Sequence, residues 1–321
     1  MRKIIAFALL AASPLVAAPS PLAAQVATAP AGISVRDGGL VATWYPPASG
    51  KRGPAILVLG GSEGGEESSK RVGAAFAAQG YGVLSLAYFK AEGLPPQLQE
   101  VPLEYFDRAI AWIARQPLAD RHKIGLWGMS IGGEVALVLA SRAPQIKAVV
   151  AAVPSSVVWQ GINMADYASV KSTFSLDGRP VPYLPYDTSA PFRSIFDLYQ
   201  RSLKFIDAHP GAIIPVERIA GPVLLLSGKS DGLWPSSAMS DQVMARLDAK
   251  HFRHPHEHIA YPDAGHGAMS PPYSAMGRAV PADANAGNRN MGGTEAGNGF
   301  ARTDSWRRTL AFFAAALGGP K

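Results

Sequence analysis

Gly128-Met129-Ser130-Ile131-Gly132 is the segment of this 321-residue chain best suited to covalent chemistry. Its G-x-S-x-G spacing is that of a nucleophile elbow, where a sharp strand-to-helix turn lifts a serine hydroxyl clear of a sheet. An apolar strand, Ile124-Gly125-Leu126-Trp127, precedes it, and residues 133–140 read as the helix that must follow. So tight a turn leaves no room for neighbouring Cβ atoms, which accounts for the flanking glycines. The implied chemistry is acyl transfer through a serine ester. The plainer alternative is a strand-to-helix turn with a small residue at its tip, so Ser130 needs partners.

Serine acylation requires a base for the hydroxyl proton and a carboxylate to orient that base. In this kind of fold the chain order is Ser, acid, His. His266 lies in Asp263-Ala264-Gly265-His266-Gly267, just past the last core strand. Alone it reads as a surface-loop histidine; its order and position make it the candidate base. Asp231, in Gly228-Lys229-Ser230-Asp231-Gly232 after strand Val223–Ser227, is the candidate acid. Its alternative is an Asp-Gly turn, and its competitor is Asp263. An oxyanion hole needs two backbone N–H donors, one from the residue after the nucleophile and one from the loop after an early strand. Ile131 and Ser62 fit those places, the latter within Gly60-Gly61-Ser62-Glu63-Gly64-Gly65. No Gly-Lys-Ser/Thr follows this glycine loop, which excludes a P-loop.

Other residues carry more than one reading. Trp159 and Trp234, each beyond a core strand, either line an acyl pocket or pack. Glu134 reads as a first-turn carboxylate suited to the helix dipole rather than as the catalytic acid. His254-Pro255-His256-Glu257-His258 matches H-x-x-E-H, a zinc motif that requires a helix. Pro255, Ile259 and Tyr261 argue for a strand there, so no functional metal site is expected. The serine mechanism itself calls for no metal and no organic cofactor.

The elements that must position these groups alternate between strand and helix. Strands are expected at Leu40–Tyr45, Ala55–Leu59, Gly82–Tyr88, Ile124–Trp127, Ala148–Ala152, Val223–Ser227 and His258–Tyr261. Helices are expected at Lys70–Gln79, Leu103–Arg115, Ser237–Leu247 and Asp304–Leu317. Continuous apolar runs such as Ala55–Leu59 mark strands buried on both faces. The pattern predicts an α/β-hydrolase fold, a doubly wound and mostly parallel sheet. Two stretches interrupt it. Residues 154–215 have little periodicity and read as a cap-like insertion over the site, and 271–299 form a long loop rich in Gly, Asn, Ala and Pro.

Arg2 and Lys3, the apolar run Ile4–Ala18 and the small residues before Gln25 read as a secretory signal peptide, 1–24. The expectation is an exported protein, periplasmic or secreted, with 25–321 as a single domain and no stable membrane anchor. With no cysteine the chain has no disulfide, thiolate metal site or cysteine nucleophile. The formal charge of +6 is scattered, and no basic run interleaves with aromatics, which argues against nucleic acid as a partner.

Four groups of segments carry a family likeness. They are Leu86-Ala87-Tyr88-Phe89 with Gly93-Leu94-Pro95 and Leu103-Glu104-Tyr105-Phe106; the elbow, Gly125 to Glu134; Pro182-Tyr183-Leu184-Pro185-Tyr186; and Ala264-Gly265-His266 with Pro271-Pro272-Tyr273, Gly292-Gly293 and Asp304-Ser305-Trp306. Together they resemble the C-terminal catalytic domain of the acyl-CoA thioesterases and bile acid-CoA:amino acid N-acyltransferases. That group is a branch of the dienelactone hydrolase-like α/β-hydrolases. The resemblance spans roughly residues 50–318 and implies Ser130, Asp231 and His266 as the triad, with the loop after His266 as part of the fold. The stretch between the leader and the first core strand is too short for the N-terminal β-sandwich of eukaryotic members. Members that transfer acyl groups to amino acids use cysteine, whereas serine suits transfer to water. The expected function is hydrolysis of a small-molecule carboxylic ester or thioester through an acyl-enzyme. The alternatives are acyl transfer to an amine or alcohol, and an inactive hydrolase scaffold that binds. Export, which separates the protein from cytosolic acyl-CoA, points toward oxygen esters or lactones.

Overall fold

The computed structural model describes residues 29–163, 169–272 and 291–320. The expected leader and most of loop 271–299 lie outside them. The first half of the chain runs β1 (Ile33–Val35), β2 (Val41–Tyr45), β3 (Gly53–Leu59), α1 (Glu67–Ala78), β4 (Gly82–Ala87), β5 (Val101–Pro102), α2 (Leu103–Arg115), β6 (Ala119–Met129), α3 (Ile131–Arg142) and β7 (Ile146–Ala152). Then come β8 (Phe174–Leu176), β9 (Arg179–Pro180), α4 (Ile195–Ser202), β10 (Val223–Gly228), α5 (Ser236–Ala249), β11 (His256–Tyr261) and α6 (Glu295–Leu317).

Eight strands form one sheet in the order β1-β2-β4-β3-β6-β7-β10-β11. The β1–β2 and β2–β4 pairs are antiparallel, and every later pair is parallel. The expected doubly wound, mostly parallel sheet is therefore the fold. Helices cover both faces, so the central strands cannot alternate apolar with polar. Residues 55–59 are buried without a break. Leu57, Leu59, Leu126, Val149 and Leu225 point into one core with α2, α3 and α5. Their chain neighbours Ile56, Val58, Trp127, Val150 and Leu226 point into a second core with α1 and α6.

α2 matches its expected bounds and buries Leu103, Phe106, Ala109, Ile110 and Ile113, a stripe at helical spacing. α6 differs from expectation: it starts at Glu295 rather than Asp304. Thr294 caps it, its Oγ accepting the Gly297 N–H at 3.0 Å. A Cβ on Gly297 would overlap the Asp263 carbonyl, so glycine there records close packing rather than a loop.

The described residues of 154–215 contain β8, β9, α4 and two 3-10 turns, Leu203–Ala208 and Pro210–Ala212. β8 pairs with β5 beside α2. Aromatic rings anchor the segment: Trp159 stacks on Tyr186 at 5.9 Å and meets Tyr199 edge-on at 4.8 Å, and Tyr199 meets Trp234 at 5.3 Å.

Candidate active site

Ser130 sits between β6 and α3 with φ 60° and ψ −124°, a left-handed conformation that side chains rarely adopt. Its N–H donates to Ala152 at the end of β7, 2.9 Å away, which helps hold the strained turn. A Cβ on Gly128 would overlap the Gly132 carbonyl, and one on Gly132 would overlap the carbonyls of Leu59 and Gly60. Both flanking glycines thus answer to close backbone approach. The second contact also presses the elbow against the exit of β3, where the glycine loop starts.

Asp231 and His266 meet through a hydrogen bond of 2.9 Å between Asp231 Oδ2 and His266 Nδ1. Both side chains are almost fully buried, at 2% and 4% exposure. A carboxylate only accepts, so Nδ1 carries the hydrogen and Nε2 is left as the basic nitrogen. Among the described residues, the imidazole's hydrogen bond runs to Asp231, and the competing Asp263 takes no part in it. Three further donors fix the Asp231 carboxylate: Leu233 N–H at 2.9 Å, Trp234 N–H at 3.2 Å and Ser236 Oγ at 2.6 Å.

The acid and base loops are also clasped by the chain just before α6. Asp231 bridges to Gly292, and Ala264 bridges to Gly293. Both glycines have positive φ, 74° and 77°. Gly232 N–H donates to Met291 at 3.2 Å, and Gly265 N–H donates to Asn298 Oδ1 at 2.8 Å.

Ser130 and His266 line one cavity of about 500 Å³, a volume in the usual range for small-molecule sites. Ser62 lines it too, and Ile131 opens α3, where helix N–H groups lack intrahelical acceptors. The remaining wall includes Glu63, Arg71 and Val72 of α1, Trp127, Met129, Met291 and Arg302 of α6. Glu63 Oε1 accepts the Gly61 N–H at 3.0 Å. Tyr88 donates to the Gly60 carbonyl at 2.7 Å, and burial pushes its phenol well above the ordinary range.

Trp159 and Trp234 do not line this cavity. Trp159 is fully buried in the aromatic group of 154–215. Trp234 packs edge-on to His266 at 5.8 Å, and its indole N–H donates to the Val153 carbonyl at 3.1 Å. Both are packing residues. The reason is sidedness: the cavity opens on the α1/α6 side of the sheet, whereas 154–215 packs with α2 and α3 on the other. No described residue of 154–215 lines the cavity.

Glu134 also departs from expectation. It is fully buried, and desolvation pushes its carboxyl well above the ordinary carboxylate range, which favours the neutral acid over a charge on the helix dipole. It accepts the Trp159 backbone N–H at 3.2 Å. Of the H-x-x-E-H segment, His256, Glu257 and His258 lie on β11 and His254 and Pro255 just before it, so no part of it is helical. Its His256 pairs with Asp248 at 2.9 Å, and no cluster of metal-ligating side chains occurs among the described residues.

Ser236, Tyr88, Glu63 and Arg302 were not legible as site residues. Ser236 carries a faint signal, a hydroxyl at the start of the helix that follows the acid. Arg302 carries none, because its helix starts before the expected position.

Residues 101–319 match the family described as BAAT / Acyl-CoA thioester hydrolase C terminal. Over 292 residues the chain is 30% identical to acyl-coenzyme A thioesterase 1 of Mus musculus, covering 89% of this chain and 65% of that protein. The chain thus spans just under two thirds of that relative's length. Among solved structures, a putative dienelactone hydrolase from Klebsiella pneumoniae aligns with a TM-score of 0.55 at 20% identity, over 88% of this chain and 97% of that one. An α/β-hydrolase enzyme from a deep-sea metagenome library aligns with a TM-score of 0.51 at 15% identity, over 88% and 98%. At such identities the likeness to the structures shows a shared fold, the α/β-hydrolase fold.

Proposed function

Since the chain belongs to the BAAT / acyl-CoA thioester hydrolase C-terminal family, we propose that it is a serine hydrolase cleaving a carboxylic thioester or ester of a small molecule. Ser130 Oγ attacks the carbonyl carbon while His266 Nε2 takes the hydroxyl proton. Asp231 holds the imidazole and balances the charge it acquires. The N–H groups of Ile131 and Ser62 bind the oxyanion of the tetrahedral intermediate. Collapse expels a thiol or alcohol, protonated by His266. Water then enters and attacks the acyl carbon while His266 takes its proton; collapse releases the acid as Ser130 Oγ recovers that proton from His266.

The observation that carries this reading is the buried Asp231–His266 hydrogen bond facing the same cavity as a serine held at positive φ. Wild-type protein is expected to react with a fluorophosphonate probe, and Ser130→Ala to lose labelling and at least about a thousandfold in kcat. Full activity in Ser130→Ala sinks the proposal. Acyl-CoA thioesters, p-nitrophenyl esters and lactones, compared on one preparation, identify the leaving group. Export remains part of the proposal, resting on Arg2, Lys3 and the apolar run behind them. It is tested by sequencing the N-terminus of the protein recovered outside the cytoplasm.

A further inference from the structure

A second serine–histidine–aspartate array lies outside the candidate site. Ser227 Oγ is 2.7 Å from His258 Nε2, and His258 Nδ1 is 2.9 Å from Asp241 Oδ1. Ser227 is the penultimate residue of β10, His258 lies on β11 and Asp241 on α5. Leu225 is the register partner of His258, so Ser227 reaches the ring diagonally across the sheet. Asp241 only accepts, so Nδ1 carries the hydrogen and Nε2 of the neutral ring accepts from the Ser227 hydroxyl. Desolvation lowers the pKa of His258, with Lys229 adding to it and Asp241 opposing it, which suits the neutral form. Ser227 is fully buried, so a substrate cannot reach this hydroxyl.

The array joins the three elements that fasten the catalytic acid. β10 runs directly into the Asp231 loop. α5 begins with Ser236, whose hydroxyl holds Asp231 Oδ2 at 2.6 Å. β11 leads into the loop of His266, which shares that same oxygen. Apolar contact would fill the space between these elements but would let them slide. A short hydrogen bond at each junction sets distance and direction. Productive geometry in such sites is held to about 0.5 Å, and a 1 Å misplacement costs about a hundredfold.

We propose that Ser227, His258 and Asp241 are positioning residues: they lock β10, β11 and α5 together and so align Asp231 with His266. The proposal rests on the assignment of Ser130, Asp231 and His266 above. The test compares the full chain with Ser227→Ala, His258→Gln and the double variant Ser227→Val/His258→Ile, which fills the same sheet face with β-branched apolar groups. kcat, KM and melting temperature are measured on a p-nitrophenyl ester. Each single variant is expected to lose about tenfold in kcat with KM within about twofold. The double variant is expected to regain the wild-type melting temperature and still lack kcat. Wild-type kcat in the double variant, or losses that only follow the folded fraction, overturn the proposal. Fluorophosphonate labelling of wild type separates the two levels. No labelling means that the site assignment has failed; labelling together with unaffected variants means that only the positioning role has.

Discussion

Folding favours the protonated form of Glu134, because it removes water from the carboxyl and supplies little in return. Its Oε1 receives the Trp159 N–H, while Oε2 and the Trp159 indole nitrogen have no hydrogen-bond partner among the described residues. The unfolded chain ionises this group in the ordinary carboxylate range, whereas the folded chain holds the proton well above it. Below that range the two states bind the proton alike and nothing is lost. As pH rises toward the folded value, the folded state loses stability, by up to about 1.4 kcal/mol per unit crossed. Glu134→Gln removes the titration. Urea midpoints at about pH 5 and about pH 8 are expected to show a gap that widens with pH in favour of the variant; a gap independent of pH counts against a neutral Glu134. Its place in the first turn of α3 was legible from Ser130. Its burial was not, since that depends on Trp159 in a segment with no periodicity. Trp159 and Trp234 teach the same lesson. A large apolar residue near a motif declares that it will be buried, but not whether against protein or substrate.

The elements that frame the cavity are α1 and α6, not the 154–215 insertion. Under the proposed function, acyl chain-length preference therefore belongs to the residues that line the cavity from these helices. Val72→Ala enlarges the cavity from α1 and is expected to raise kcat/KM for long over short acyl esters several-fold, as about 1 kcal/mol of new apolar space allows. Phe192→Ala, at a position 45% exposed in the insertion, is expected to leave that ratio unchanged. A kcat/KM series over acyl length measures both; a shifted ratio for the Phe192 variant, or none for Val72, contradicts the assignment. Periodicity located α2 to the residue, because its apolar stripe is uninterrupted. It missed the first turns of α6, where Gly297, Asn298 and Gly299 look like loop. Those residues are there for tertiary reasons: Gly297 to admit the Asp263 carbonyl and Asn298 to receive the Gly265 N–H. Contacts with a distant loop leave no periodic trace.

At the scale of the molecule, the sheet separates two tasks. One face, with α1 and α6, holds the cavity; the other, with α2, α3 and α5, supports the elbow helix and the hydrogen bonds behind Asp231. The order Ser130, Asp231, His266 was legible because each residue follows a strand whose apolar run is plain. The clasp of Gly292 and Gly293 on the acid and base loops was legible only as a likeness to relatives. Translation delivers Ser130, Asp231 and His266 before it delivers that clasp. A nascent chain thus carries all three proposed catalytic groups while the residues that bridge the loops of two of them are still unmade. Gly292→Ala in the full chain, whose Cβ would overlap the Ser230 carbonyl, is expected to label with fluorophosphonate at least about tenfold more slowly than wild type, and labelling at the full rate would refute this. On the proposed mechanism, hydrolytic competence is thereby tied to chain completion, because Gly292 and Gly293, which bridge to the Asp231 and His266 loops, come near the end of the sequence.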